Sequence, residues 1–181
     1  MIDGLRITPP LVGAGLLVLA ACQSSTPGRG SDTAAGDVAA GAGGEQRSRI
    51  SAVRLERQPC FGTCPVYVVD VDSAGRVRFE GRAHVQAMGT VTADISRDDF
   101  RGMAERLVQS GVLSFDSTYV SGAPGCGAYA TDLPIVTLSV VVDGTTKRIV
   151  HDYGCSGAPT ALRGLHSMVD SVANTSRWVG S

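Results

Sequence analysis

An apolar segment near the N-terminus is the feature that most limits how this chain can fold. Residues 11–19 are all apolar or glycine, a length typical of the core of a secretory signal. The segment is too short for the roughly 20 residues of a transmembrane helix. Ala20 and Ala21 suit a processing site, so the pattern predicts a signal peptide at residues 1–21. The remainder then folds in an oxidising compartment, where disulfides form and persist.

The residues that close this segment, Leu19-Ala20-Ala21-Cys22, resemble the lipobox of bacterial lipoproteins. The resemblance implies a lipid, palmitate included, on Cys22 and therefore a membrane as the first partner. It also implies a location in the cell envelope, at the outer membrane and facing the periplasm or the surface. A secretory signal cleaved elsewhere, or a start codon downstream of Met1, are the alternatives.

The segment that follows is predicted to be a flexible tether. Residues 22–48 are rich in Gly, Ala, Ser and Thr, and Val38 is their only large apolar residue. Such a composition cannot bury enough surface to offset the entropy lost on ordering. Residues 49–181 are then predicted to form a single domain. The whole chain has 16 basic and 17 acidic residues without a basic run, so no nucleic-acid partner is expected.

Two strand hairpins organise the predicted domain. Period-two alternation of β-formers begins after Pro65 and again after Pro134, and each run reaches a glycine ten residues after its proline, Gly75 and Gly144. A second strand follows in each half, and residues 89–95 predict a further strand in the first half. This spacing indicates a possible internal repeat.

Each half is predicted to end in a helix. Ser96 and Asp99 approximate a capping box ahead of an apolar stripe at Phe100, Met103, Ala104, Leu107 and Val108. The second helix is predicted from Pro159, with Leu162, Leu165, Met168, Val169 and Val172 on one face, and His166 is expected to be partly exposed or hydrogen-bonded. The predicted fold class is α+β, with two antiparallel strand-rich halves, each closed by a helix.

The domain contains four cysteines, Cys60, Cys64, Cys126 and Cys155. In an exported domain an even number favours disulfides, and four cysteines allow three connectivities. The short first spacing and the hairpin between the last two cysteines favour the pairs Cys60–Cys64 and Cys126–Cys155. A zinc site made by all four thiolates is an alternative.

A second alternative concerns Cys60 and Cys64. The string Cys60-Phe61-Gly62-Thr63-Cys64-Pro65 resembles the Cys-x-x-x-Cys-Pro motif of the thioredoxin-fold factors that deliver copper to cytochrome oxidase. The resemblance implies Cu(I) or thiol chemistry on the two sulfurs, with His151 as a third ligand.

A longer string resembles a bacterial family of unknown function. Residues 57–67, with the pattern Cys-Phe-Gly-x-Cys-Pro-x-Tyr ending at Tyr67, are similar to the signature of domain-of-unknown-function family 6438. The resemblance extends over residues 50–180 and includes Thr131 and Asp132. It implies an exported protein or lipoprotein, and no activity.

No catalytic residues are predicted from the sequence. His151 and Asp152 are neighbours on a predicted strand and therefore point to opposite faces. No cofactor is expected, and Tyr67, Thr131, Asp132 and His151 are the candidates for ligand or partner contacts. The expected function is a non-catalytic binding or structural module of the envelope with an unidentified protein partner, and the alternative is the thiol-disulfide or copper-handling module.

Overall fold

The computed structural model of the chain describes residues 50–180. The predicted signal peptide, Cys22 and the predicted tether lie outside the described residues. Within that range seven strands form one mixed sheet: β1 (Ile50–Arg57), β2 (Val66–Asp72), β3 (Arg76–Ala83), β4 (Gly89–Asp94), β5 (Thr118–Tyr119), β6 (Ile135–Val142) and β7 (Thr145–Asp152). Their order across the sheet is β4-β3-β2-β1-β6-β7-β5. β5 runs parallel to β7, and the other neighbours are antiparallel.

Three α-helices and one 3-10 turn complete the described fold: α1 (Arg97–Gln109), the 3-10 turn (Val112–Ser114), α2 (Ala161–Ala173) and α3 (Ser176–Val179). α1 contacts α2, and α2 contacts β1 and β2. The α+β class is therefore confirmed. The two strand hairpins belong to one continuous sheet, and the internal repeat with a helix closing each half is not confirmed.

The central strand of the sheet, β1, was not predicted. It pairs with β2 on one side and with β6 on the other. Val53 and Leu55 alternate with charged neighbours and are fully buried, so the period-two signal was present in the sequence.

The predicted cap of α1 is confirmed. Ser96 Oγ accepts a hydrogen bond from the Asp99 backbone N–H at 3.0 Å, which satisfies one of the free donors of the first turn. Phe100, Met103 and Leu107 are buried. Val108 is 40% exposed, so the buried stripe is narrower than predicted.

α2 lies close to its predicted position, but the set of residues on its buried face differs from the predicted one. It begins at Ala161, and Met168 is only partly buried, whereas His166 is fully buried among its apolar neighbours. Of the two alternatives expected for His166, the hydrogen-bonded one holds, since its ring is bonded to Tyr153 Oη. The ring is not partly exposed, because it lies on the face of α2 that packs against the sheet.

Candidate functional site

The strand register places four residues in one row across the sheet. Tyr67 on β2 pairs with Arg57 on β1, Arg57 pairs with Val136 on β6, and Val136 pairs with His151 on β7. Paired residues of neighbouring strands point to the same face. This row lies near the end of the sheet where β1 leads into the first pair of cysteines.

Arg57 and Tyr67 bind one carboxylate of α2. Arg57 Nη2 and Asp170 Oδ2 are 2.5 Å apart, and the Arg57 Nε donates to Tyr67 Oη at 2.9 Å. Tyr67 Oη donates to Asp170 Oδ1 at 2.7 Å, and Thr175 Oγ1 donates to the same oxygen at 3.2 Å. We call Arg57, Tyr67 and Asp170 the polar clamp, because together they join β1, β2 and α2.

Burial shapes the ionisation of the clamp. Burial and the negative charge of Asp170 raise the pKa of the Tyr67 hydroxyl well above its ordinary value, although the charge of Arg57 acts against this. Burial disfavours the charge of Arg57, but Asp170 more than compensates and raises the pKa of the guanidinium. The clamp is therefore a neutral tyrosine held by an ion pair, an arrangement suited to fixing geometry.

A pair of buried histidines continues the row. The rings of His151 and His166 are 5.5 Å apart, and His166 Nδ1 is hydrogen-bonded to Tyr153 Oη at 3.0 Å. His166 and Asp170 are four residues apart and so share one face of α2. Among the buried side-chain nitrogen and oxygen atoms of residues 50–180, His151 Nδ1 and His166 Nε2 have no hydrogen-bond partner.

Both histidines are neutral at physiological pH. Burial, with the charge of Arg163 acting in the same direction, lowers the pKa of His151 to about 4, although Asp152 opposes the shift. Burial has the largest effect on His166 and lowers its pKa to about 3, and the nearby His151, Arg57 and Arg163 act in the same direction. The two rings are therefore hydrogen-bonding groups rather than charges.

Two loops meet beyond the clamp and expose apolar side chains. Residues 60–64 are closed by the Cys60–Cys64 disulfide, and Phe61 in this ring is 87% exposed. The Phe61 backbone N–H donates to the Asp132 carbonyl oxygen at 3.4 Å, which links the ring to residues 129–134. In that second loop Tyr129 and Leu133 are each 43% exposed. We call residues 60–64 and 129–134 together the loop face.

The second disulfide is buried. Cys126 and Cys155 have Cα atoms 4.5 Å apart, and both residues are buried. The structure thus contains the two cysteine pairs that the sequence predicted. Since all four sulfurs are in disulfides, the structure does not show the zinc alternative.

The family model described as Domain of unknown function (DUF6438) matches residues 51–173. The chain belongs to this family. A comparison with curated proteins found no match.

The DUF6438 domain contains both disulfides, the polar clamp and the histidine pair, whereas α3 lies beyond the matched residues. Within residues 50–180 no group of three His, Cys, Asp or Glu side chains is placed to hold a metal ion. His151 in particular lies among Tyr119, Tyr153 and His166, and is not grouped with Cys60 and Cys64. No helix in the same range is both long and apolar enough to cross a membrane.

The remaining residues predicted as ligand or partner contacts in the DUF6438 domain lie either on the loop face or in the polar clamp. Thr131 donates to the Asp132 carboxylate at 2.9 Å on the loop face, and Tyr67 belongs to the clamp. Asp152 accepts hydrogen bonds from Tyr129 Oη and from the Gly154 backbone rather than from His151. The hydrogen bonds therefore agree with the expectation that the His151 and Asp152 side chains do not act as a pair.

Sequence reasoning missed the α2 side of this site. Asp170, His166 and Arg163 were not among the candidate residues, although a histidine within the apolar stripe of a helix is a readable signal. Arg57 was noted only as part of the family string. Its role depends on Asp170, which is 113 residues away, and no local pattern connects the two.

Among the cavities of residues 50–180, two lie outside the clamp. The larger of these two, about 510 Å³, is on the open face of β1 to β4, and the ion pairs Asp72–Arg76 and Asp70–Arg78 are in its lining. The smaller, about 230 Å³, lies between the end of β7 and the start of α2, and His151 and Arg163 are among its lining residues.

Proposed function

We propose that this protein is a lipid-anchored binding module of the cell envelope, attached through Cys22, whose loop face binds a partner protein with an apolar surface. The observation that carries the proposal is the exposure of Phe61, at 87%, on a ring that is closed by a disulfide. A large apolar side chain held in solvent by a covalent ring gains nothing from the domain itself. Burial against a partner would recover that free energy.

The polar clamp supports this role. Arg57 and Tyr67 are paired residues at the base of the connection that carries the ring, and Asp170 ties both to α2. A ring fixed at its base loses less conformational entropy on binding than a free loop would. We infer that residues 57–67 form the structural unit shared by the family.

The direction in which β1 runs, from Ile50 toward the loop face, also supports the proposed binding role. Ile50 and Arg57 are at opposite ends of β1, and the loop face follows Arg57. Eight residues of strand span about 25 Å. A chain anchored ahead of Ile50 would therefore present the loop face on the side of the sheet away from its attachment.

Anchoring is tested by metabolic labelling with palmitate in the native host. Label is expected in the native protein and absent in Cys22→Ser. Equal labelling of both proteins, or label in neither, would overturn the anchor.

The loop face is tested by photocrosslinking in intact envelopes. A photoreactive residue replaces Phe61 in one variant and Ser73 in another, since Ser73 is exposed in the turn at the opposite end of the sheet. We expect a discrete crosslinked product from position 61 and none from position 73. The proposal fails if both positions give the same products or if position 61 gives none.

A second candidate function is a thiol-disulfide module. Cys60 and Cys64 are partly exposed, whereas Cys126 and Cys155 are buried, so a reductant would reach the first pair more readily. The test is the reduction potential of Cys60–Cys64 together with Cu(I) titration of the reduced protein. A potential below about −300 mV without copper uptake excludes this candidate. Tight copper binding that is lost when Cys60 and Cys64 are replaced by serine would favour it over the binding module.

A further inference from the structure

The loop face has a negative charge beside its exposed apolar side chains. The two connections that contain this face, residues 58–65 and 120–134, have no Lys or Arg, and Asp132 is their only charged residue. Asp132 is exposed and adjoins the exposed Leu133. Among residues 50–180, no basic side chain forms an ion pair with Asp132. Its charge is therefore available to a binding partner.

The backbone around Asp132 is held by local hydrogen bonds. Thr131 Oγ1 donates to Asp132 Oδ2 at 2.9 Å, and the Asp132 carbonyl oxygen accepts from the Phe61 backbone N–H at 3.4 Å. Asp132 has a φ of 69°, in the left-handed region that Asp and Asn adopt more readily than most residues. The carboxylate thus lies on a turn that is bonded to the ring containing Phe61.

A second, buried carboxylate is linked to the loop face through Tyr129. Asp152, at the end of β7, is 5% exposed and accepts hydrogen bonds from Tyr129 Oη at 3.0 Å and from Gly154 N–H at 2.8 Å. The pKa of the Tyr129 hydroxyl is raised, first by its hydrogen bond to Asp152, then by desolvation and by the charges of Asp152 and Asp132. Both carboxylates therefore act on the same side chain.

The Tyr129 ring completes this surface. The ring is seated on backbone, since a Cβ atom on Gly154 would lie 2.8 Å from Tyr129 Cε2, and Tyr129 forms a β-bridge with Cys155. Its hydroxyl donates to Asp152, so the exposed part that a partner meets is mainly the aromatic ring. The face of such a ring attracts cations. Ring and carboxylates therefore favour the same sign of charge.

The basic side chains of β1 and α2 that lie near this end of the sheet have other contacts. Arg57 pairs with Asp170, and the Arg163 guanidinium lies 4.3 Å from the centre of the Tyr153 ring and donates to the Tyr153 carbonyl oxygen. Among residues 50–180, Asp152 has no ion pair either. No direct ion pair within the described domain therefore offsets the two carboxylates.

We propose that the partner surface bound by the loop face presents a Lys or Arg side chain next to its apolar residue. This inference rests on the proposed function and adds the charge of the partner to it. The apolar residue packs against Phe61 and Leu133, and the basic group pairs with Asp132 beside the Tyr129 ring. An acidic partner surface meets like charge there, so the loop face discriminates against it.

The first test is photocrosslinking of the full chain in intact envelopes, with the photoreactive residue at position 61. Asp132→Asn removes the charge and retains a residue that tolerates the left-handed backbone. The yield of crosslinked product should fall about twofold to fivefold, the value of one exposed ion pair. Added salt should lower the yield of the native chain and leave that of Asp132→Asn nearly unchanged.

Asp143→Asn is the matched control. Asp143 is also an exposed aspartate with a positive φ, 48°, but it lies in the turn between β6 and β7, at the end of the sheet opposite the loop face. This substitution should leave the yield unchanged. A fall equal to that of Asp132→Asn would overturn the proposal.

The second test is selection from a random-peptide display library on the purified full chain in detergent. Peptides retained by the native chain but not by Phe61→Ala should combine an apolar residue with Lys or Arg. Selection on Asp132→Lys should enrich Asp or Glu instead, because the substitution reverses the charge of the surface.

The outcomes separate this proposal from the one on which it rests. Crosslinks from position 61 whose yield is independent of salt and of Asp132, or Phe61-dependent peptides without a basic residue, would overturn the charge proposal and leave the binding role intact. The absence of any product from position 61 would overturn both. If Asp132→Asn lowers the amount of folded protein, the salt dependence of the native product decides, and a yield unchanged by salt overturns the proposal.

Discussion

Arg57 on β1 and Asp170 on α2, which are 113 residues apart in the chain, form an ion pair with 2.5 Å between Nη2 and Oδ2. Tyr67 bridges the two by accepting from the guanidinium and donating to the carboxylate. Because Arg57 and Tyr67 are the last paired residues before the Cys60–Cys64 ring, this contact fixes the base of the loop face.

Asp170→Asn should destabilise the domain by about 2–3 kcal/mol. The substitution leaves Arg57 without a counter-charge, and both side chains of the pair are about four-fifths buried, at 20% and 18% exposure. Guanidinium denaturation monitored by circular dichroism measures the loss.

Asp70→Asn is the control for this substitution. Asp70 forms an ion pair with Arg54 on the open face of the sheet, where both side chains are more exposed, at 35% and 41%. Its loss should cost about 1 kcal/mol or less. Equal losses in the two variants would show that the clamp has no special role.

The two disulfides should contribute unequally to stability. Replacing Cys126 and Cys155 by alanine removes a bridge across 29 positions and should cost about 3.5 kcal/mol by chain entropy. Replacing Cys60 and Cys64 opens a separation of only 4 positions and should cost about 2 kcal/mol. Denaturation of each double variant checks the order, and a larger loss from the smaller ring would contradict it.

Stability should fall as the pH drops below the ordinary histidine range. The pKa values of His151 and His166 are lowered from 6.5 to about 4 and about 3 in the folded domain. Between these limits the unfolded chain binds protons that the folded chain does not, so stability is fully present above pH 6.5 and declines as the pH falls toward 4. The expected slope approaches about 1.4 kcal/mol per pH unit for each histidine.

The free energy of unfolding at pH 7.5 and pH 5 measures this effect. His151→Phe combined with His166→Phe should reduce the difference between the two pH values. His84→Asn should leave it unchanged, because His84 is exposed. A pH dependence that survives the double substitution would assign it to other groups.

Two glycines should respond to alanine in opposite ways. A Cβ atom on Gly154 would lie 1.9 Å from the Ala130 carbonyl oxygen, so Gly154→Ala must displace backbone and should cost about 1–3 kcal/mol. Gly164 is in α2 with nothing within 4 Å of its Cβ position. Gly164→Ala should stabilise the domain by up to about 1 kcal/mol. Thermal denaturation compares the two, and destabilisation by both would contradict the contact at Gly154.

The sequence predicted most local elements of this fold because their signals are local. The Ser96 cap, the strand that became β4 and the two cysteine pairs each depend on residues close in the chain or on the ends of one hairpin. β5 has only two residues, too few for a period-two pattern. The merging of two hairpins into one sheet depends on β1 pairing with β6, which no short window of sequence contains.

The site was less predictable for the same reason. Tyr67 and His151 were selected from the sequence, but the side chains that give them their environment lie on α2. His166 was interpreted from its neighbours in sequence, and packing against β7 and Tyr153 decided its burial instead. Ionisation of a histidine depends on burial and on nearby charges, and both are set by tertiary structure.

The central position of β1 has a consequence for the timing of folding. The first strand of the domain to leave the ribosome becomes the middle of the sheet, and one of its two edges is completed only by β6, which begins at Ile135. Closing so long a segment of chain is slow relative to local hairpin formation. The sheet can therefore be completed only after β6 has been synthesised, so the middle strand waits for its second neighbour until most of the domain has been made.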